Sequence, residues 1–387
     1  MPIGQVRGWR GCWVYIFYMK ELNKKIRIAI LLDENDANAH DLILEAFLET
    51  EILEMFSPIV YGSLHMLKQE SSRLQIRYNA LVVGNASQAD PDALNFVDIT
   101  GRNAVEVAKK EFEADLFDAF IVVPMSREVT NQLRNAVIPN PVIKRQENDI
   151  KAIPLMCSNQ LCVAYVVADS KDVAGITTDN IENKARILHS TLRRDLRQDN
   201  PRVAILSLNP EIKTDEDSPE IQIIAPAVSK LVNTGIPVFG PYSYADFFES
   251  GKHLNFDAVL TMTREQAQAP FLSMYDGNGI ALAAGIAPLV LSPVKLDGDN
   301  NATVDSFREA IYTCIDVYRS RYFFDLPYAN PLPKMFHERR EDGEKVRFAV
   351  KKRPEDGEKK ESAPKNEAAE SKSGSQDKAE KKEVSNS

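Results

Sequence analysis

The sequence predicts an α/β fold of about two domains. Short apolar runs alternate with amphipathic helical patterns along most of the chain, which is how a sheet with crossover helices is written. The runs are rich in Val, Ile and Leu and lack strict polar alternation, so the strands should be covered on both faces. The chain has 387 residues, 44% hydrophobic and 27% charged, enough to bury a sizeable core in about two domains. No internal repeat is visible.

Strands are expected at Ile26–Leu32, Pro58–Tyr61, Ala119–Val123, Val163–Val167, Val203–Leu206 and Ala258–Met262. Leu42, Leu44, Phe47, Leu48 and Ile52 fall at helical spacing and predict a helix over Asp41–Met55. Further helices are expected at Arg102–Leu116, Asn180–Leu196, Glu220–Val232 and Val304–Tyr322. Asp179 or Thr177 is placed to cap the helix at Asn180, and Ser218 with Pro219 to open the one at Glu220.

The net charge of -9 argues against nucleic acid as a partner, because phosphate binding needs a basic face. The four cysteines, Cys12, Cys157, Cys162 and Cys314, form no CxxC pair and no metal spacing. They are expected to be reduced, small buried hydrophobes of a cytoplasmic protein. No stretch reaches the roughly 18–20 apolar residues that cross a bilayer, so no membrane partner is expected. Residues 11–19, GCWVYIFYM, follow two arginines, yet the run is short and no small-residue cleavage site follows. Met19 reads as a normal cytosolic start, and residues 1–18 as an over-extended gene start. From about Glu338 the chain is dominated by Lys, Glu, Ser and Ala with few aromatic residues. Such a segment cannot offset its ordering entropy, so 338–387 is expected to be a disordered charged tail.

The region from Pro201 is the most informative. It runs PRVAILSLNPEIKTDEDSPEIQIIAPAVSKL, then GIPVFGPYSYADFF, then FDAVLTMTREQ to Gln266. In these motifs the chain resembles the 4-hydroxythreonine-4-phosphate dehydrogenase family of vitamin B6 synthesis, over roughly Ile26 to Pro333. The resemblance implies two α/β/α lobes with a cleft between them, like isocitrate and isopropylmalate dehydrogenases, assembled as a homodimer. It places 1–25 as an N-terminal extension, 26–150 with about 298–335 in the first lobe, and 151–297 in the second. It implies NAD(P)-dependent oxidation of a phosphorylated hydroxy amino acid, with decarboxylation following. It also implies a divalent metal held by three histidines, which stabilises the developing alkoxide by several kcal/mol. No GxGxxG loop occurs, and the family does not use that form.

At the family's metal positions this chain has other residues. After the strand CVAYVV, Asp169 stands nearest the first histidine; Glu211 replaces the second after Leu208-Asn209-Pro210; Arg264 replaces the third in Met262-Thr263-Arg264. An arginine is a permanent cation and no ligand, so a divalent metal is not expected, and Arg264 is expected to pair with Asp169 or Glu211. The substrate positions diverge likewise. A family Gly-Pro-x-His/Asn-Lys turn stands as Val123-Pro124-Met125-Ser126-Arg127, and a Gly-His-Thr-Glu motif falls near Val-Ile-Lys-Arg, with Lys144 and Arg145 as candidate substrate ligands. The family's lysine, asparagine and arginine positions hold Leu272, Ala281 and Val290, and its early glycine-rich loop is Asp33–Ala39 without a glycine. Asp246 matches an acidic position near the cleft, expected to make a structural hydrogen bond; with Arg127 and Arg264 it completes the cleft candidates. The histidines His40, His65, His189, His253 and His337 fall at none of the metal positions.

The first reading is therefore a catalytically degenerate relative that keeps the fold and the dimer, binds a small anionic ligand, or pairs with an intact paralogue. NAD or NADP remains the cofactor implied by the family. A second reading is an active NAD-dependent dehydrogenase with a shifted substrate or a carboxylate metal site built from Asp169, Glu211 and Glu265. A third is an interaction protein acting through its charged C-terminal tail.

Overall fold

The computed structural model describes residues 25–123, 153–168, 170–212, 215–274, 279–286, 288–294 and 302–329. Among them, the apolar runs build one twelve-stranded sheet. In chain order the strands are β1 (Ile26–Leu31), β2 (Phe56–Gly62), β3 (Ala80–Val83), β4 (Leu94–Asp98), β5 (Ala119–Val122) and β6 (Ile153–Ser158). They continue as β7 (Cys162–Val167), β8 (Val203–Leu206), β9 (Val238–Tyr242), β10 (Ala258–Thr263), β11 (Gly279–Ala284) and β12 (Leu289–Pro293). Across the sheet the order is β3-β4-β2-β1-β5-β12-β11-β6-β7-β10-β8-β9.

From β3 to β12 every pairing is parallel, and so is every pairing from β7 to β9. The three pairings between, β12–β11, β11–β6 and β6–β7, are antiparallel. Three reversals leave the two parallel blocks pointing in opposite directions. Their carboxyl ends therefore open on opposite edges of the sheet.

Eight α-helices connect or cover the strands among the described residues: α1 (Ala37–Ala46), α2 (Leu64–Leu74), α3 (Ala104–Glu113), α4 (Thr178–Arg194), α5 (Ala225–Asn233), α6 (Tyr244–Glu249), α7 (Arg264–Ser273) and α8 (Val304–Ala329). Most start just after a strand or loop ends, where Asp36, Ser63, Asn103, Thr177, Ser243 or Thr263 accepts a first-turn backbone N–H. Those donors have no partner inside the helix, so a short polar side chain there sets the start. Alternation along the strands sorts the core. Ile28, Ile121, Leu155, Ile205, Leu260 and Leu291 belong to one apolar cluster that runs through both parallel blocks. Ala29, Leu31, Phe120 and Val122 face a second cluster, and Val163, Tyr165, Ala204, Leu206 and Val259 face a third.

Two local readings are corrected. The stripe at 41–55 is not one helix. Asp36 accepts the N–H groups of Asn38 and Ala39, which starts α1 earlier, and α1 ends at Ala46. Phe47 and Leu53 then reach the core from the region of a separate 3-10 turn at Thr50–Glu54. The helix expected from Glu220 opens with a π turn, Glu220–Ile224, before α5. Thr177, not Asp179, caps α4.

The cysteine expectation is also corrected. Ser158 N–H donates to Leu161 O at 3.0 Å to close the β6–β7 hairpin. The next facing pair outward is Cys157 and Cys162, with Cα atoms 4.1 Å apart, and these form a disulfide. Cys314 is free and buried; Cys12 lies outside the described residues, as do the extension at 1–18 and the charged tail at 338–387.

Helix α8 is the long element expected after Asp297. It packs on β12, β11, β5 and α1 and is tied to the end of α4 by a buried ion pair. The Arg321 guanidinium donates from Nε to Asp195 Oδ1 at 2.8 Å and from its terminal nitrogen to Oδ2 at 2.7 Å. Both side chains are buried. Removing one partner strands the other charge, so Asp195→Ala is expected to cost about 3–5 kcal/mol of stability in urea unfolding, against about 1 kcal/mol or less for the exposed Lys230–Asp179 pair.

His40 carries the second prediction. Its ring is buried. Nδ1–H donates to Asp36 O at 2.7 Å, and Nε2 accepts the Ser63 N–H at 3.2 Å, so the partners fix a neutral tautomer. Burial holds its pKa below the usual histidine value, against the smaller opposing pull of Asp36, Glu70 and Asp41. The unfolded chain then binds the proton more readily. The contribution of His40 is complete above pH about 6.5 and is lost as pH falls from there toward the depressed folded value. Chemical-denaturation stability of the native protein is expected to fall over that window. The fall should be smaller in His40→Gln.

Candidate functional site

The site implied by the three divergent positions lies at the carboxyl ends of β7, β10 and β8, which are consecutive in the sheet. Crevices outside the carboxyl ends of parallel strands are where open α/β sheets bind ligands. The register sets Val167, the end of β7, beside Thr263, the end of β10, and Leu260 of β10 beside Ile205 of β8. Arg264, immediately after β10, therefore stands between the turn that follows β7 and the turn that follows β8.

The supporting frame is hydrogen-bonded throughout. Gln266 is its centre. Its Oε1 accepts the N–H groups of Met262 and Thr263, and its Nε2 donates to Ser207 O at 3.1 Å and Leu208 O at 2.9 Å. Thr263 returns a capping bond to the Gln266 N–H. One side chain thus closes α7 and binds the end of β10 to the end of β8. Ser207 is buried; its Oγ donates to Asn209 O at 2.5 Å and accepts the Tyr244 N–H at 3.2 Å. Buried Glu220 holds Asn209 through its backbone and side-chain N–H groups at 2.9–3.1 Å. Pro210 O accepts from Ser243 Oγ at 2.8 Å. These contacts make Leu208-Asn209-Pro210 and Gln266 part of the scaffold.

Phe239-Gly240-Pro241 persists for a steric reason. Gly240 has φ +137°, and a Cβ there would lie 2.3 Å from Ile205 O. Backbone cannot yield to that, so only glycine fits.

The two ligand positions among the described residues, Glu211 and Arg264, do not pair. Glu211 is exposed and makes no ion pair among the described residues, so the expected Arg264–Glu211 pair is not formed. Its turn is drawn instead toward Ser243 and Ala245 through Pro210 O. Asp169 lies outside the described residues, as do Arg127, Lys144 and Arg145. Arg264 is half-buried, with Glu265 as its carboxylate neighbour at 3.9 Å, the outer limit of an ion pair. Its Nε is buried and has no hydrogen-bond partner among the described residues. Leaving such a donor unpaired costs about 1–3 kcal/mol.

Asp246 sits in the first turn of α6 and is exposed. Its backbone N–H is capped by Ser243 Oγ, so the structural bond expected of its carboxylate is made by the backbone instead. Leu272 and Ala281 pack against the third apolar cluster and Val290 against the second. They are scaffold positions with no polar atom to offer a substrate. In the other block, Asp36 is engaged as the α1 cap, and Glu34 accepts the Gly101 N–H at 3.0 Å. The loop at 33–39 is held by carboxylates where the family has glycines.

The metal implied by the family does not fit what is described. No three His, Cys, Asp or Glu side chains among the described residues are placed to hold a cation, and Arg264, at the third family position, is a permanent cation and no ligand. His40 is engaged on both nitrogens, His65 is exposed, and His253 stacks on Phe248 at 5.6 Å. Sequence reasoning missed Gln266, Ser207 and Glu220 as the frame. The signal for Gln266 was its place three residues after Thr263, the spacing of a capping box.

Gln266→Ala removes four bonds and leaves two carbonyls without their donor. It is expected to lower stability by about 2–3 kcal/mol, read as a shift in the urea midpoint.

Comparison with known proteins agrees with this frame. Residues 54–314 match the family described as Pyridoxal phosphate biosynthetic protein PdxA. The 4-hydroxythreonine-4-phosphate dehydrogenase of Bacteroides thetaiotaomicron is 30% identical over 355 residues, covering 84% of this chain and 97% of that one. That of Neisseria meningitidis serogroup B is 25% identical over 313 residues, 76% of this chain and 90% of its own. The crystal structure of the Klebsiella pneumoniae 4-hydroxythreonine-4-phosphate dehydrogenase superposes with a TM-score of 0.55 at 18% identity, over 77% of this chain and 98% of that chain. That likeness supports the mixed α/β fold with its large sheet, and the sequence matches fix the lineage: this chain belongs to the PdxA family of pyridoxal phosphate biosynthetic proteins.

Proposed function

We propose that this chain is a catalytically degenerate member of the family, keeping its fold while having lost the metal-dependent oxidation. The observation that carries this reading is Arg264. Arg264 follows β10 directly, and β10 lies between β7 and β8 in the sheet. A fixed positive charge there opposes a divalent cation, and no carboxylate neutralises it closely. A Lewis acid supplies several kcal/mol to such a transition state, and about 1.4 kcal/mol is a factor of ten in rate. The substitutions at Leu272, Ala281 and Val290 support the same reading, because their apolar side chains are packed into the core. A carboxylate metal site gains no support from Glu211 and Glu265, which are both exposed.

The reading carries its assembly and place with it: a homodimer, or a heterodimer with an intact paralogue, in the cytoplasm. NAD or NADP is the nucleotide that the family resemblance implies, and when bound it would supply hydride acceptance.

The test is NADH formation by the purified full chain with 4-phosphohydroxythreonine, NAD and added Zn²⁺ or Mg²⁺, after circular dichroism has shown the protein folded. No metal-dependent turnover is expected. Turnover at ordinary enzyme rates, about 1–10³ per second, would overturn the reading.

A further inference from the structure

We propose that Arg264 has converted the metal position into a receptor for an oxyanion, a carboxylate or phosphate group carried by a small molecule. The inference rests on the metal-free reading above and gives that site a ligand class. The geometry that excludes a metal is the geometry that favours an anion. The half-buried guanidinium carries five N–H donors in a fixed fork. Among the described residues it makes no hydrogen bond; its Nε is buried without a partner, and its nearest carboxylate is the exposed Glu265 at 3.9 Å.

Among the described residues, the polar groups of the β8 and β10 turns make no hydrogen bond to the guanidinium. Gln266 donates to Ser207 O and Leu208 O. Glu220 is held by Asn209. Glu211 is exposed. The frame around the arginine is therefore rigid while its own donors are unused, and planar forks of this kind pair with carboxylate and phosphate oxygens in a bidentate way. An apolar ligand would leave those donors unmatched. A cation would be repelled.

The test is isothermal titration of the full chain with inorganic phosphate and, separately, with malate, each with and without EDTA. Saturable binding of at least one is expected, unchanged by EDTA and weakened at least tenfold in Arg264→Gln. Whichever of the two binds identifies the anion class. Arg264→Lys keeps the charge without the fork and should fall between. Glu265→Gln, which removes the nearest carboxylate, should bind at least as tightly as the unmodified protein. An unchanged thermal midpoint in Arg264→Gln excludes unfolding as the cause of lost binding. Absence of binding to both anions, or equal affinity in Arg264→Gln, would overturn the receptor while leaving the non-catalytic reading intact. Binding that depends on added metal and is lost in EDTA would overturn the receptor and, with turnover in the NADH assay, the non-catalytic reading too.

Discussion

The structure depends on a single sheet whose direction inverts at its centre. Backbone N–H and C=O groups buried in a core must be paired, and the antiparallel run β12-β11-β6-β7 supplies that pairing between two parallel blocks. Because the pairing is continuous, one apolar cluster passes from the first block into the second. Because the direction inverts, the loops that follow β7, β8 and β10 collect on one edge, away from those that follow β1, β2 and β4. Everything about the candidate site follows from that geometry.

On that edge, what is retained and what is lost separate by physical role. Gln266, Ser207, Asn209 and Glu220 form a closed set of hydrogen bonds with each other and with strand-end carbonyls. Gly240 is held by contact with the β8 backbone. Losing any of these would unsatisfy a buried group or create a clash. Among the described residues, Glu211 and Arg264 have no such tether: Glu211 is exposed, and the buried Nε of Arg264 has no hydrogen-bond partner. A fold can survive the loss of its chemistry when the two depend on different residues.

The returning helix α8 shows the same economy. It covers β12, β11 and β5 and reaches α1, while Arg321 and Arg194 bind Asp195 and Asp325 across the α4–α8 contact. One element so buries apolar surface from the first block and anchors itself to a helix of the second.

The sequence by itself determined the α/β class, the strands β1, β2, β5, β7, β8 and β10, and the family, because each is a local pattern of apolar period or motif; it left the α4 cap open between Thr177 and Asp179. It also located Asp169, Glu211 and Arg264 as substitutions along the chain. What it did not carry was pairing. The short or mixed strands β3, β4, β6, β9, β11 and β12 gain their identity from neighbours rather than from their own composition. The facing of Cys157 and Cys162 depends on hairpin register, and the division of 41–55 depends on where Asp36 finds donors. The failure of Arg264 to meet Glu211 was decided by the bonds that draw the Pro210 turn toward α6. Those are contacts between residues distant in sequence, and only the packed chain brings them together.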